Sequence, residues 1–519
     1  MPRPLHSTVS MFSSKSSTEN DEGINFPSWR SLLWEDVTDI PLEMNNSDFE
    51  LKDALLSNDE EATDMSNRTG TSLSAALNLL SSMIGGEILT LPLAFSQAGN
   101  GLVGPITLVF MAALMGCSVR CLMCCNDLLS RRTSKQGNVS IAHVASVAFG
   151  HKAKYFTIAL IFSVCFCTLV GYAVILRTLL QPVTNSLLHG QNGNFIMSCI
   201  IMVVTPLTAL SSLTVLRHIG AASIFSSFVV ACCFAYRSIG CDVDQTNVNN
   251  ESFRLTPKSV QSMLQALPIF ITVFVCHYNV LPVHNEMQNP SKPRTNRVVV
   301  ITMILCTSLY LFLGTAGSMY SRCTETGTLD SNILNSFPSD DPIMLFARTC
   351  LVFIITLAFP MLVIPARNIV VPLISPCFTT QVEEENLVYS NTDVEEQGDR
   401  NEEVPPSSTE NATATLNEEI PPTIRRPQRF VLIEPIVSIL ITWFATLVAC
   451  FVSDITLLWN LVGSSLSIVL AFVIPCGSFL MLSPPGQEIW LRCVAWFSLA
   501  LSLPMAFLCT ASAILRILL

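Results

Sequence analysis

The stretch "SSMIGGEILTLP", Ser81 to Pro92, lies inside a long apolar segment and decides the fold. Gly85, Gly86 and Glu87 stand together at its centre. Glycine loses more conformational freedom in a helix than any other residue, and a carboxylate at mid-bilayer depth is expensive. The segment therefore reads as a membrane helix interrupted at its middle. In lipid, backbone groups freed by such a break are tolerated only where they are buried in protein or line a cavity. The break points to a ligand or cavity halfway across the bilayer.

The surrounding chain supports a membrane reading. Of 519 residues, 50% are apolar and 13% charged, with a mean hydropathy of +0.51. A soluble domain carries about 25% charged residues. A spanning helix needs about 20 apolar residues. By that measure there are about eleven spans, near 72–97, 101–128, 153–180, 194–214, 216–239, 260–284, 298–320, 342–372, 430–452, 456–481 and 489–515. The sixth, "LPIFITVFVCHYNVLPVHNEM" (Leu267–Met287), is also interrupted, around Cys276–Asn279 with Pro282 just beyond. Interrupted helices at matching positions in two halves mark the midplane site of an inverted-repeat transporter.

Basic residues of the short loops set the orientation. Arg131, Arg132, Lys135, Lys152, Lys154, Arg217, Lys292, Arg294, Arg297, Arg425, Arg426 and Arg429 fall on one side if the N-terminal tail is there too. Arg254, Lys258 and Arg322 fall on the other. The expected organisation is a disordered, acidic, cytosolic tail over 1–70, helices one to eight over 71–372, a disordered acidic cytosolic loop over 373–429, and helices nine to eleven over 430–519. The tail lacks the apolar core of a signal peptide. The tail and its stretch Phe26–Val37, together with the acidic stretch 381–417, are candidate docking segments for cytosolic regulators, and the default for both is a solvated linker.

The net charge of −11 comes from these two segments. The basic runs are juxtamembrane loops, so no nucleic-acid surface emerges, and no nucleophile–base constellation suggests an enzyme. Most of the 19 cysteines sit in apolar runs and read as small hydrophobes. Cys121 and Cys124 form a CxxC without a second half, so no metal cofactor is expected. Cys241 and Cys323 follow the fifth and seventh spans on the non-cytosolic side, where they are either a disulfide or two thiols. Asn250, in the same loop as Cys241, is the sequon placed for glycosylation.

Several motifs resemble the amino acid/auxin permease family, and within it the sodium-coupled neutral amino acid transporters. They are "NLLSSMIGGEILTLPLAFSQAG" (Asn78–Gly99), "FVCHYNVLPVHNEMQNPSK" (Phe274–Lys292), "ITLAFPMLVIPAR" (Ile355–Arg367) and "WNLVGSSLSIVLAFVIPCGSFL" (Trp459–Leu480). The resemblance implies an all-α polytopic fold of five-plus-five inverted repeats with an eleventh helix. It also implies alternating-access movement of amino acids coupled to sodium or protons. Unwound backbone at Ile84, Gly85 and Gly86 would hold the substrate carboxylate, with Phe274, Cys276 and His277 lining the facing break and Tyr172 helping to hold substrate. A sodium site would draw on Ser81, Ile84 and Thr356. Three residues depart from the family pattern. Glu87 stands where a second glycine is usual, Ala358 where a hydroxyl is usual, and Ser81 where relatives often have Asn.

Glu87 has three readings: a proton carrier, a partner for a substrate amino or cationic group, or a structural acid paired to a neighbouring helix. His277 is either a substrate contact or a satisfied structural histidine. The expected function is transport of small or neutral amino acids across a plasma or vacuolar/lysosomal membrane. The alternatives are a transporter-like amino acid sensor signalling through its tails and a transporter of cationic amino acids or amines using Glu87.

Overall fold

The computed structural model describes residues 70–132, 139–187, 193–209, 217–240, 253–324, 327–392, 428–452, 455–486 and 488–518. Asn250 and Cys241 lie outside them, as do the N-terminal tail and 393–427.

The first span is built in pieces. Helix α1 (Ser72–Met83) is capped by Thr71, whose hydroxyl oxygen accepts the Ser74 N–H at 3.2 Å. It ends where Ile84 turns extended, at φ −82°, ψ 101°. Gly85 is extended as well, a 3₁₀ turn covers Gly86–Leu89, and α2 (Leu91–Ala98) restarts with Pro92 in its first turn. Close approach rather than left-handed backbone demands Gly85, since a Cβ there would lie 1.5 Å from the Tyr172 hydroxyl oxygen.

Next come α3 (Val103–Arg132), α4 (Ile141–Phe149), α5 (His151–Leu187), α6 (Gly193–Thr208) and α7 (Arg217–Ile239). The sixth span repeats the interruption. Helix α8 (Val260–Thr272) stops, residues 273–276 unwind, and α9 (His277–Glu286) resumes. Then follow α10 (Lys292–Ser318), α11 (Pro342–Thr392), α12 (Gln428–Ala449), α13 (Ile455–Leu461), α14 (Ile474–Leu482) and α15 (Ile489–Leu518). Helix α11 continues through Thr392, into the stretch expected to begin a polar loop.

Among the described residues eight helical segments are long and apolar enough to cross a membrane, and Gly193–Thr208 and Ile433–Ala449 are shorter apolar helices. With the interrupted first segment, these occupy all eleven expected positions. The protein is an all-helical, multi-pass membrane protein. Its two broken spans lie side by side with their halves paired, α1 against α9 and α2 against α8. Helix α10 packs along both α1 and α2, and α5 packs against α11 and α12.

Two features were not legible in the sequence. The short α4, capped by Ser140 on the His143 N–H at 3.1 Å, lies against α5 and α14. Between α13 and α14 the tenth span widens into two π-helical stretches, Val462–Leu466 and Val469–Val473. The first presses Gly463 against the end of α8, where a Cβ would sit 2.4 Å from the Thr272 hydroxyl. Single π turns inside α-helices are frequent at functional sites.

The two faces are held by different contacts, and the basic one carries a 480 Å³ cavity lined by Ser72, Arg294 and Arg297. On the basic face, Gly70 N–H donates to Glu286 O (3.1 Å) and Gln288 N–H to Gly70 O (2.7 Å), joining the entry of the first span to the exit of the sixth. Lys292 meets Glu488 at 2.6 Å. Arg294 donates to the Ser72 hydroxyl at 2.7 Å and to Gln288 O at 2.8 Å. On the opposite face, Arg237 pairs with Asp341, Arg322 donates to Ser238 O, and Cys323 is disulfide-bonded. That face holds a 740 Å³ cavity lined from α2, α5, α8 and the segment before α11, including Ser96, Gln97, Thr178, Gln265 and Asn332.

Candidate functional site

The two breaks meet around Glu87. Its side chain is 6% exposed, and its carboxylate accepts the Tyr172 hydroxyl at 3.1 Å. The Tyr172 hydroxyl oxygen and Glu87 Oε2 both crowd the unwound backbone, 1.5 and 2.6 Å from where a Cβ on Gly85 would stand. The Glu87 carbonyl, turned the other way, accepts the Thr90 hydroxyl (2.9 Å) and N–H (3.1 Å), which fixes the 3₁₀ turn.

Tyr172 is buried among aromatic rings. Phe359 of α11 and Trp459 of α13 lie edge-on to it at centroid distances of 6.2 and 6.3 Å. Trp459 is 1% exposed, and its indole N–H has no acceptor among the described residues. Tyr278, the second residue of α9, is buried at the facing break.

Tyr310 on α10 ties the breaks together. Its hydroxyl donates toward Met83 O at 2.7 Å, the last residue of α1, and toward Val273 O at 3.1 Å, just past α8. A carbonyl released at each interruption thus faces one side chain, and an unpaired carbonyl in the membrane interior costs on the order of several kcal/mol. The Tyr310 ring packs on Phe274 at 5.5 Å.

The expected site residues divide into two groups. Ile84, Gly85, Gly86, Glu87 and Tyr172 come together at the first break. Phe274, Cys276 and His277 are buried at the second, but His277 turns aside. Its Nε2 is 3.2 Å from the Ser118 hydroxyl of α3, which itself donates to Ala471 O. Ser118 has one proton to give, so Nε2–H of His277 is the donor in the first contact, and Nδ1 is left as a buried acceptor without a partner among the described residues. Of the three residues named for a sodium site, Ser81 lies on α1, where a Cβ on Gly220 of α7 would come 3.2 Å from its Cβ, Ile84 ends α1, and half-buried Thr356 lies on α11, two residues before buried Ala358. Helices α1 and α11 do touch. Among the described residues no group of three or more His, Cys, Asp or Glu is placed to hold a metal.

Tyr278, Tyr310, Trp459 and Ser118 were missed because a hydropathy pattern shows aromatics and a serine in apolar runs, not their partners far along the chain. Proximity to the two Gly/Pro-marked breaks was the only available signal, and it reached Tyr278 alone.

Two broken helices, paired half against half around a buried acid, define a membrane transporter of the five-plus-five inverted-repeat class. The chain belongs to the transmembrane amino acid transporter protein family, whose model matches residues 68–515. It is 28% identical over 300 residues to vacuolar amino acid transporter 5 of Schizosaccharomyces pombe, covering 57% of this chain and 68% of that one. It is 23% identical over 305 residues to sodium-coupled neutral amino acid transporter 7 of Xenopus laevis, covering 56% and 64%. Among solved structures, Mhp1, a nucleobase-cation-symport-1 family transporter closed on bromovinylhydantoin, superposes with a TM-score of 0.50 at 11% identity. That match covers 87% of this chain and 92% of the other, and it is a likeness of fold.

Proposed function

We propose that this amino acid transporter is a secondary active carrier of small or neutral amino acids, working by alternating access about the two breaks. The observation that carries this reading is the juxtaposition of Glu87, Tyr172 and the unwound backbone of both spans between one face with a 740 Å³ cavity and one face joined by the Gly70–Met287 and Lys292–Glu488 contacts. Substrate enters from the cavity side, reaches the breaks, and leaves after the basic-face contacts part. Exchange of one closed face for the other is the two-state element such a carrier needs.

Protons drive the movement at least as well as sodium. Glu87 supplies a titratable group at the break, whereas Ala358 removes one of the hydroxyls a sodium site would use. The basic face is cytosolic by its Lys and Arg content. The membrane is a plasma or a vacuolar/lysosomal membrane, the vacuolar reading being in keeping with the name of the Schizosaccharomyces pombe relative. The experiment is uptake of labelled amino acids by purified protein in proteoliposomes, with sodium and pH gradients imposed separately. Flux that follows the pH gradient in sodium-free buffer is expected. Flux that appears only with sodium, at every pH, contradicts proton coupling. Absence of flux, with ligand-dependent binding of partners to the tails, favours a sensor.

A further inference from the structure

We propose that the first break does not hold the substrate's α-carboxylate: Glu87 fills that position itself, and the group the site recognises is the substrate's ammonium. This rests on the reading of the breaks as the transport site and deepens it by naming the chemistry of recognition.

A break of this kind offers unpaired N–H groups to an anion. Here the chain sets its own anion in front of them: the Glu87 carboxylate stands at the break and accepts the Tyr172 O–H at 3.1 Å. There is also no room. The space above Gly85 is filled by the Tyr172 hydroxyl and by Glu87 Oε2, 1.5 and 2.6 Å from where a Cβ would stand. A second carboxylate entering here would displace internal partners and lie against a like charge in a site nearly without water, where such repulsion is strong.

An ammonium meets the opposite conditions. It brings up to three donors to a carboxylate whose present partners include a single neutral hydroxyl. The Tyr172 ring beside the carboxylate packs with the rings of Phe359 and Trp459, and aromatic faces attract cations. The substrate ammonium joins the Tyr172 hydroxyl on Glu87, whose two oxygens accept more than one donor. The rest of the substrate then extends into the space between the breaks, where the Trp459 indole N–H offers a donor with no acceptor among the described residues.

The consequence is a simple chemical preference. Blocking the substrate's carboxylate should matter little; blocking its amino group should abolish recognition. Purified full-length protein in detergent is titrated with L-alaninamide and L-lysinamide, and with N-acetyl-L-alanine and Nα-acetyl-Nε-acetyl-L-lysine, and binding is read as a shift in Tm. The same compounds then compete with uptake of a labelled mixture of the twenty L-amino acids into proteoliposomes, with protein-free liposomes as the control. The amides should shift Tm and compete within about threefold of alanine and lysine themselves; the acetylated compounds should do neither at a hundredfold higher concentration. Glu87→Gln, which keeps the shape of the side chain, should lose the amide response at least tenfold. Glu87→Gly, which releases the backbone donors, should gain a response to the acetylated compounds. Acetylated compounds that bind wild-type protein while amides do not would overturn the inference, as would an unaltered amide response in Glu87→Gln. If amides shift Tm but no amino acid is carried, the recognition chemistry stands and the transport reading fails.

Discussion

Replacing Tyr310 by Phe removes one oxygen and leaves the ring that packs on Phe274 in place. The lost hydroxyl faces Met83 O at 2.7 Å and Val273 O at 3.1 Å, and it has a single proton to share between them. The main loss is therefore one hydrogen bond, to Met83 O, with a weaker second component rather than two full bonds. A buried partner left unsatisfied costs about 1–3 kcal/mol, whereas interhelical hydrogen bonds in membranes average only about 0.6 kcal/mol because the groups find other partners. Met83 and Val273 sit where the backbone is already unwound, so substitute partners are scarce. A loss of about 1–2 kcal/mol follows, a change of about 5- to 30-fold in the equilibrium that holds the two breaks together. Thermal unfolding of the purified protein should show a lowered Tm. Uptake should slow, with a raised KM, because the substrate must now also assemble the site. Wild-type Tm and wild-type uptake in Tyr310→Phe would refute the idea that this hydroxyl joins the interruptions. A lowered Tm with unchanged uptake would restrict it to stability.

Other outcomes follow from the same geometry. Gly85→Ala places a Cβ 1.5 Å from the Tyr172 hydroxyl, so the Tyr172–Glu87 bond must break; overpacking costs about 1–3 kcal/mol, and uptake should be lost while a pool of folded protein remains by gel filtration. The Lys292 hydrogen bond, opposed by burial, holds the Glu488 carboxyl below its ordinary value. Its contribution to closure of the basic face is thus complete above the ordinary carboxylate range and fades as pH falls through the depressed value. With side chains 28% and 38% exposed, the pair is worth under about 1 kcal/mol. Glu488→Gln should therefore raise maleimide labelling of Cys124, whose sulfur is 3.6 Å from both Glu488 oxygens, as read by peptide mass spectrometry; unchanged labelling would remove the pair from the gate. Glycan should be found at Asn250 and at no other sequon, and a glycan at Asn67 or Asn411 would reverse the assigned orientation.

The architecture was legible because the bilayer restricts what a sequence can do. Apolar runs of spanning length had to be helices, and Gly85–Gly86–Glu87 and Cys276–Asn279 could interrupt them only at a site. What stayed hidden depends on partners distant in sequence. Tyr310 and Met83 are 227 residues apart, and nothing local distinguishes Tyr310 from an ordinary lipid-facing or core tyrosine. His277 shows the converse. Its place at the break was plain, yet its contact with Ser118, 159 residues earlier, turns it toward α3 and could not be foreseen. The π-helical widening at Val462–Leu466 was likewise invisible: no local breaker marks it, and the α8 residues that Gly463 approaches are far away in sequence.

The central claim is that Glu87, at the paired breaks, is the working group of the carrier. The direct test is uptake of neutral and basic amino acids into proteoliposomes by wild-type protein and Glu87→Gln, side by side, from about pH 5 to 8, a range that spans titration near neutrality. With both proteins folded and equally reconstituted, Glu87→Gln should change the pH profile or the preference between neutral and basic substrates. Superimposable profiles across the whole panel would contradict the claim and leave Glu87 a structural partner of Tyr172.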